Sequence, residues 1–396
     1  MTESSGHAPL EGMRVLDLTR NVAGPYASMI LAEYGADVIK VESQGLGDDT
    51  RAWGPPFWDG WSPIFVALNR NKRSITLDLR EESSREVMER LVERSDVLLE
   101  SFRPDAMERL GFGPEWAAAR NPRLVYCSIT SYGERGPLRD RPGYDPLMQA
   151  FAGIMSVTGE PGRPPVRVGV SLVDMGTGMW AANAILAALL EREQTGRGRR
   201  LVASLYETAI AWMSYHLAQF WASGVAPEGH GSGTSTIVPY QAFPTRDGFL
   251  VIGSANDGLF ARLAGVLGHP EWLEDERFAH NPARVANRSL VVEAVAAETR
   301  SWNGEELERA LREAGVPCAV IRDAGDVARD EQAEALGIFQ PLPGAPIEDY
   351  RSVGLPLTVD GRRQPLRRFP PRAGEHTEEV LSELGLAPTR SEGGTR

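Results

Sequence analysis

Short apolar runs alternate with helical patterns along the first half of the chain. Residues 13–18 (MRVLDL) predict a buried strand, 24–35 (GPYASMILAEYG) a helix closed by glycine, and 37–41 a second strand. Strand, helix and strand at this spacing predict a right-handed βαβ unit of a parallel sheet. The alternation continues with a strand at 75–79, a helix at 83–94, a strand at 96–100, a turn at 102–104, a short helix to Leu110 and a strand at 123–129. Residues 131–145 (SYGERGPLRDRPGYD) are too rich in turn formers to be an element. A helix at 146–157, a strand at 199–203 and a long apolar helix at 205–221 complete the pattern.

Within that region, residues 166–192 (VRVGVSLVDMGTGMWAANAILAALLER) stand out. An apolar run, 168–173, meets Asp174 and a Met-Gly-Thr-Gly step, then a series of good helix formers. The pattern predicts extended segment, tight turn and helix. Helix starts expose unpaired N–H groups and partial positive charge, which would stabilise Asp174 as an anion and suit it to act as a nucleophile. Aspartate is equally a common helix cap. The flanking Gly169, Gly176 and Gly178 favour close approach of backbone or ligand, which a simple cap does not require.

Beyond residue 222 the composition changes. Residues 223–244 are rich in Gly, Ser, Thr and Pro and predict a flexible linker. A smaller α+β pattern follows, with strands at 249–253 and 317–321 and helices near 259–267, 288–300 and 304–314. A Pro-rich extended segment and a last helix near 375–384 then return the chain to the first part. The expected division is 1–222 for a large α/β domain, 223–330 for a smaller α+β domain and 331–396 for the returning segment. A chain of 396 residues has room for two cores.

Composition narrows the chemistry. The net charge of −12 argues against a nucleic-acid or anionic-membrane surface. Two cysteines, Cys127 and Cys318, and six scattered histidines offer neither a disulfide framework nor metal-ligand spacing. No uninterrupted apolar run reaches the roughly 18 residues of a membrane span, and the expectation is a cytoplasmic protein. No G-x-G-x-x-G follows the first strand, which disfavours a simple NAD enzyme. The loop at 19–23 lies at the strand edge where open α/β sheets bind ligands. Trp53, Trp58 and Trp61 share the loop 45–63, as core packing or as a lid over a flat ligand. The basic run 69–73 reads as a solvated turn, or beside a crevice as an attractor of polyphosphate.

Several pieces in order, VLDLTRNVAGPYAS, GADVIKVE, NRNKRSITLDLR, SDVLLESFRPDAMERLGFG, SYGERGP, GYD, VSLVDMGTG, TGRGR and GEHTEEVLSELGL, resemble the class III coenzyme A transferases. That family also includes the α-methylacyl-CoA racemases. The resemblance implies a Rossmann-like large domain with a parallel sheet, a smaller domain, and a homodimer whose chains interlock. It implies Asp174 as the catalytic residue, with CoA contacts at Val22, Ala23, Leu77, Asp78, Leu79, Arg80, Ser101, Phe102, Arg103 and Arg109. Trp53, Tyr144 and Asp145 match residues around the acyl group. Arg139 and Arg141 are available to pair with a second carboxylate, and backbone near Gly176 is available to stabilise an oxyanion.

The implied reaction moves CoA from a thioester, with succinyl-CoA or another dicarboxyl-CoA as the leading donor, to a carboxylic acid through an aspartyl-CoA thioester. CoA is then a substrate, with no tightly bound cofactor and no metal. Val22 replaces an amide side chain of the formyl-CoA branch, and the loop 229–233 lacks that branch's glycine run, which disfavours a formyl/oxalate pair. The racemase branch places a histidine where this chain has Tyr144. A phenol of ordinary pKa near 10 is a poor α-proton base. A non-catalytic CoA-binding subunit would leave Asp174 without a chemical role.

Overall fold

The computed structural model describes residues 8–386, which form two compact units. The larger gathers the chain up to Ala152, Gly169–Ser214 and the segment from Glu334 onward. The smaller comprises Gly153–Val168 and Tyr215–Ala333. The units thus divide near 214 and 333 rather than at 222 and 330, and the smaller one takes in a piece ahead of Asp174 as well.

The larger unit is built on six parallel strands: β1 (Arg14–Leu18), β2 (Asp37–Glu42), β3 (Lys72–Thr76), β4 (Val97–Glu100), β5 (Val125–Thr130) and β6 (Arg200–Ser204). Their spatial order is β3-β2-β1-β4-β5-β6. That order reverses between β1 and β4, and such a reversal opens a crevice at the carboxyl ends of the strands. Strands covered on both faces read as unbroken apolar runs. Accordingly Val15, Leu16, Val38, Ile39, Leu98 and Leu99 are all buried.

Three local expectations change. β3 begins at Lys72, so the basic run enters the sheet instead of forming a solvated turn. Every side chain from Asn69 to Arg73 is buried. Arg70 pairs with Glu33 at 2.6 Å, Lys72 with Asp17 at 3.2 Å, and Arg73 with Asp37 and Glu383, both at 2.6 Å. The run is consumed by internal ion pairs and is not free for phosphate. Second, the helix predicted at 205–221 is two helices, Leu205–Trp212 and Ser214–Ser223, separated at Met213. Third, Pro114–Arg120 is a helix that apolar periodicity did not reveal, started by proline at its first position.

The chain's only two lysines, Lys40 and Lys72, are both fully buried. Lys40 donates to the Thr19 carbonyl at 2.8 Å and pairs with Asp48 at 2.8 Å. Asp17 accepts from the Thr19 N–H and hydroxyl and from the Ser28 hydroxyl, and lies beside Lys72. These cations and hydrogen bonds hold the Asp17 carboxyl well below the usual carboxylate range despite its burial. The network fixes the loop leaving β1 from beneath, at the edge where the crevice opens.

The helix Leu172–Thr195 crosses the larger unit with Val173, Thr177, Ala181, Ile185 and Leu189 on its buried face. It is the one helix among the described residues long and apolar enough to suit a membrane span by length and composition. Here that apolar face packs as a core element against the helix Ala23–Glu33 and strands β5 and β6. Close packing depends on Gly178, where a Cβ would lie 2.6 Å from the Ala23 carbonyl oxygen. The smaller unit carries an antiparallel sheet of β7 (Tyr240–Pro244), β8 (Phe249–Gly253) and β9 (Cys318–Val320). Its own core includes Phe243, Leu250, Phe260, Val291 and Leu307. β7 occupies the end of the segment expected to be linker.

Candidate active site

A cavity of about 480 Å³ opens at the switch point. Its walls follow the carboxyl ends of four strands: Leu18, Thr19 and Arg20 after β1, Val41 to Gln44 at the end of β2, Leu77 to Arg80 after β3, and Phe102 and Leu110 after β4. Its size is ordinary for a ligand pocket. The sequence-derived contacts Leu77, Asp78, Leu79, Arg80 and Phe102 are therefore brought together. Thr19, Arg20, Ser43 and Gln44 complete the site. Thr19 and Arg20 fall within the VLDLTRNVAGPYAS stretch, Ser43 and Gln44 in a loop outside the quoted motifs, and the signal common to all four is position just past a parallel strand.

The other expected contacts scatter. Val22 and Ala23 are buried at the start of the helix Ala23–Glu33 and do not line the cavity. Ser101 instead accepts the Arg20 N–H at 3.2 Å, tying the loops after β4 and β1 together. Arg103 lines a second cavity of about 230 Å³ with Glu100, Tyr126, Glu134, Arg139 and Arg200, and Phe102 borders both cavities. Burial pushes the Glu100 carboxyl in its wall up to about 7. Arg139 is committed to Asp105 at 2.5 Å, and Arg141 lies over the rings of Tyr132 and Phe151. Arg109 is exposed on the short helix Ala106–Arg109 and lines neither cavity. Of the three loop tryptophans, Trp58 packs on Tyr350 and Trp61 on Phe369, and Trp53 and Trp58 are both exposed.

Arg20 and Arg80 supply cationic side chains at the mouth. Arg20 lies 3.6 Å from Asp49, and Arg80 pairs with Asp78 at 2.6 Å. The Arg80 side chain is 81% exposed, so its pair is weak and open to exchange for a stronger anion. The Arg80 guanidinium holds Asp78 down at about 2.

Asp174 lies in the first turn of its helix, three residues beyond Ser171 at the cap position. It does not cap, and no strand precedes it. Met175 and the two glycines of the Met-Gly-Thr-Gly step are helical and not a turn. The Met175 N–H bonds to the Ser171 carbonyl at 2.9 Å, and Gly176 faces the Trp212 indole, where a Cβ would stand 2.8 Å from a ring carbon. Backbone at Gly176 is thus committed to the helix, and an oxyanion role there does not fit the geometry.

The free N–H groups of the helix start go elsewhere. Leu172 donates to the Val170 carbonyl at 2.8 Å, and Val173 and Asp174 donate to one oxygen of Asp145 at 2.7 and 3.2 Å. Asp145 is 2% exposed and also accepts from Gln149 at 2.6 Å. The Asp174 carboxylate itself is partly buried and has no ion-pair partner among the described residues. Burial, and then the charge of Asp145, push its carboxyl up to about 7. The helix start does not by itself keep Asp174 a low-pKa anion. Tyr144, immediately before Asp145, is 56% exposed.

Fold and site together define an α/β protein with a ligand crevice at a Rossmann switch point and an unpaired aspartate at a helix start. Its residues 10–377 match CoA-transferase family III, to which the chain belongs, and it is a CoA-transferase. It is 38% identical to a succinate–glutarate CoA-transferase of Agrobacterium fabrum, over 95% of this chain and 96% of that protein. A succinyl-CoA:glutarate CoA-transferase of Mus musculus is 36% identical, over 95% of this chain and 86% of its own length. Among solved structures, a CaiB/BaiF family protein from Brucella suis superposes with a TM-score of 0.87 at 38% identity, covering 96% of this chain and all of its own.

Proposed function

We propose that this enzyme transfers CoA between dicarboxylic acids, with succinyl-CoA as a donor, through a thioester on Asp174. The observation that carries the reading is Asp174 itself: a partly buried carboxylate without a cation, which is a strong nucleophile once ionised. The Asp174 carboxylate attacks the donor thioester carbonyl, and the C–S bond breaks with its electron pair on the CoA sulfur. This leaves an acyl–aspartyl anhydride. The thiolate then attacks the aspartyl carbonyl, releasing the donor acid and leaving aspartyl-CoA. The acceptor carboxylate reverses both steps. Each step exchanges one carboxylate or thiolate for another, so no proton must be moved.

In this reading the nucleotide end of CoA enters the switch-point cavity, with Arg20 and Arg80 meeting its phosphates. The relatives named for succinate, succinyl-CoA and glutarate support dicarboxylates on both sides of the exchange. Assembly as a homodimer accounts for the helix Ser214–Ser223, which buries none of its residues although it carries Phe220 and Trp221. Trp221 alone is 74% exposed. An apolar surface of this kind in a lone chain signals a partner.

A donor and acceptor panel tests the substrate class. Succinyl-CoA with glutarate should turn over at least about tenfold faster than acetyl-CoA with acetate, the cost of leaving one charge-assisted contact unmade. Equal or better turnover of the monocarboxylic pair would overturn the dicarboxylate assignment.

A further inference from the structure

Asp145 is placed where the positive end of the long helix would otherwise receive Asp174 or a substrate anion. Its Oδ2 accepts from Val173 and Asp174, and its Oδ1 from Gln149, which is itself fully buried. Gln149 lies one turn further along the helix Asp145–Phe151, so the carboxylate is clamped between two helices. Three donors therefore hold the Asp145 carboxylate in place.

We propose that Asp145 is a positioning residue for Asp174: it occupies the anion site at the helix start, and its fixed charge leaves the neighbouring Asp174 carboxylate uncompensated until that group is acylated. The inference rests on the reading of Asp174 as nucleophile. Two neighbouring carboxylates removed from water repel, which raises the free enzyme's ground state. When the Asp174 oxygen bonds to the acyl carbon, the C–S electron pair leaves with the CoA sulfur. Negative charge moves off the pair onto the thiolate and then onto the departing acid, and Asp174 stays neutral as anhydride or thioester. Repulsion is relieved in the covalent states, and the aspartyl adduct is favoured over the free carboxylate.

Among the described residues, three helices packed against this end of the long helix bring polar or titratable groups toward it. The helix Asp145–Phe151 brings Asp145, preceded by Tyr144; the helix Ala23–Glu33 brings Tyr26 near Gly178; and the helix Leu205–Trp212 carries Tyr206 and Glu207 and presents Thr208 and Trp212 to Gly176. Among them Asp145 is the charged group that bears on Asp174, and burial acts in the same direction.

Asp145→Asn tests the proposal, because an amide oxygen still accepts from both backbone N–H groups while the charge is gone. The acid limb of kcat/KM should move down by at least about one pH unit relative to wild type. An unchanged limb in the folded variant overturns the proposal. A second measurement needs neither turnover nor the Asp145 variant: infrared difference titration of wild type against Asp174→Asn, read at the carboxyl band. Titration of Asp174 near 4 overturns the proposal, because neither burial nor a charged Asp145 would then bear on it. Failure of the underlying reading shows differently, as the absence of any CoA adduct on Asp174 in wild type.

Discussion

Asp174 stands in the first turn of the helix Leu172–Thr195. Its place at the start of a long helix follows from an apolar run, an acid and a series of helix formers. Its electrostatics do not. They depend first on burial and then on Asp145, 29 residues earlier, whose carboxylate takes the helix-start N–H groups. A nucleophilic carboxylate must be ionised, so kcat/KM should fall as pH drops through about 7 and level off above it. A limb near pH 4 would mean that the free enzyme does not hold Asp174 in this environment. At the cavity mouth, Arg80→Ala should raise KM for the acyl-CoA by about tenfold with kcat nearly unchanged, as expected for one charge-assisted hydrogen bond made equally in ground and transition states. A fall in kcat with unaltered KM would place Arg80 at the reacting group instead. Val22, Ala23 and Arg109 do not line the switch-point cavity: two are packed into a helix start and the third is exposed on a short helix.

At the scale of elements, apolar runs located β1, β2, β4 and β5 to within about two residues, because strands buried on both faces have few other patterns open to them. The error at β3 has a specific cause. Lys72 and Arg73 look like solvent-facing residues until the acids that neutralise them are known, and Asp17, Asp37 and Glu383 lie far away in sequence. The break at Met213 left no apolar interruption to detect. Buried charge also makes a firm prediction. Removing one partner of a buried pair strands the other, at a cost of about 3–5 kcal/mol, so Lys72→Met should destabilise the enzyme by that amount in urea unfolding. A change below about 1 kcal/mol would show that Asp17 finds water or protonates. In the same vein, neither Lys40 nor Lys72 should react with amine-directed reagents until the chain unfolds.

For the whole molecule, the β3-β2-β1-β4-β5-β6 order puts the crevice between the loops after β1 and β4, and the network around Lys40 and Asp17 fixes the first of those loops. Alternating strands and helices announce a parallel sheet, but strand order and the two excursions into the smaller unit follow from long-range packing that no local pattern records. The same holds for the apolar surface of the helix Ser214–Ser223, whose cover belongs to another copy of the chain in the account proposed above. The proposed chemistry requires one bond, between Asp174 and CoA. Incubation with succinyl-CoA without acceptor, followed by peptide mass spectrometry, tests it directly. The account predicts a CoA adduct on the peptide containing Asp174, absent from Asp174→Ala, together with a loss of turnover of at least about a thousandfold in that variant. An unmodified peptide in an enzyme that still exchanges CoA, or an Asp174→Ala variant with near wild-type turnover, would contradict it.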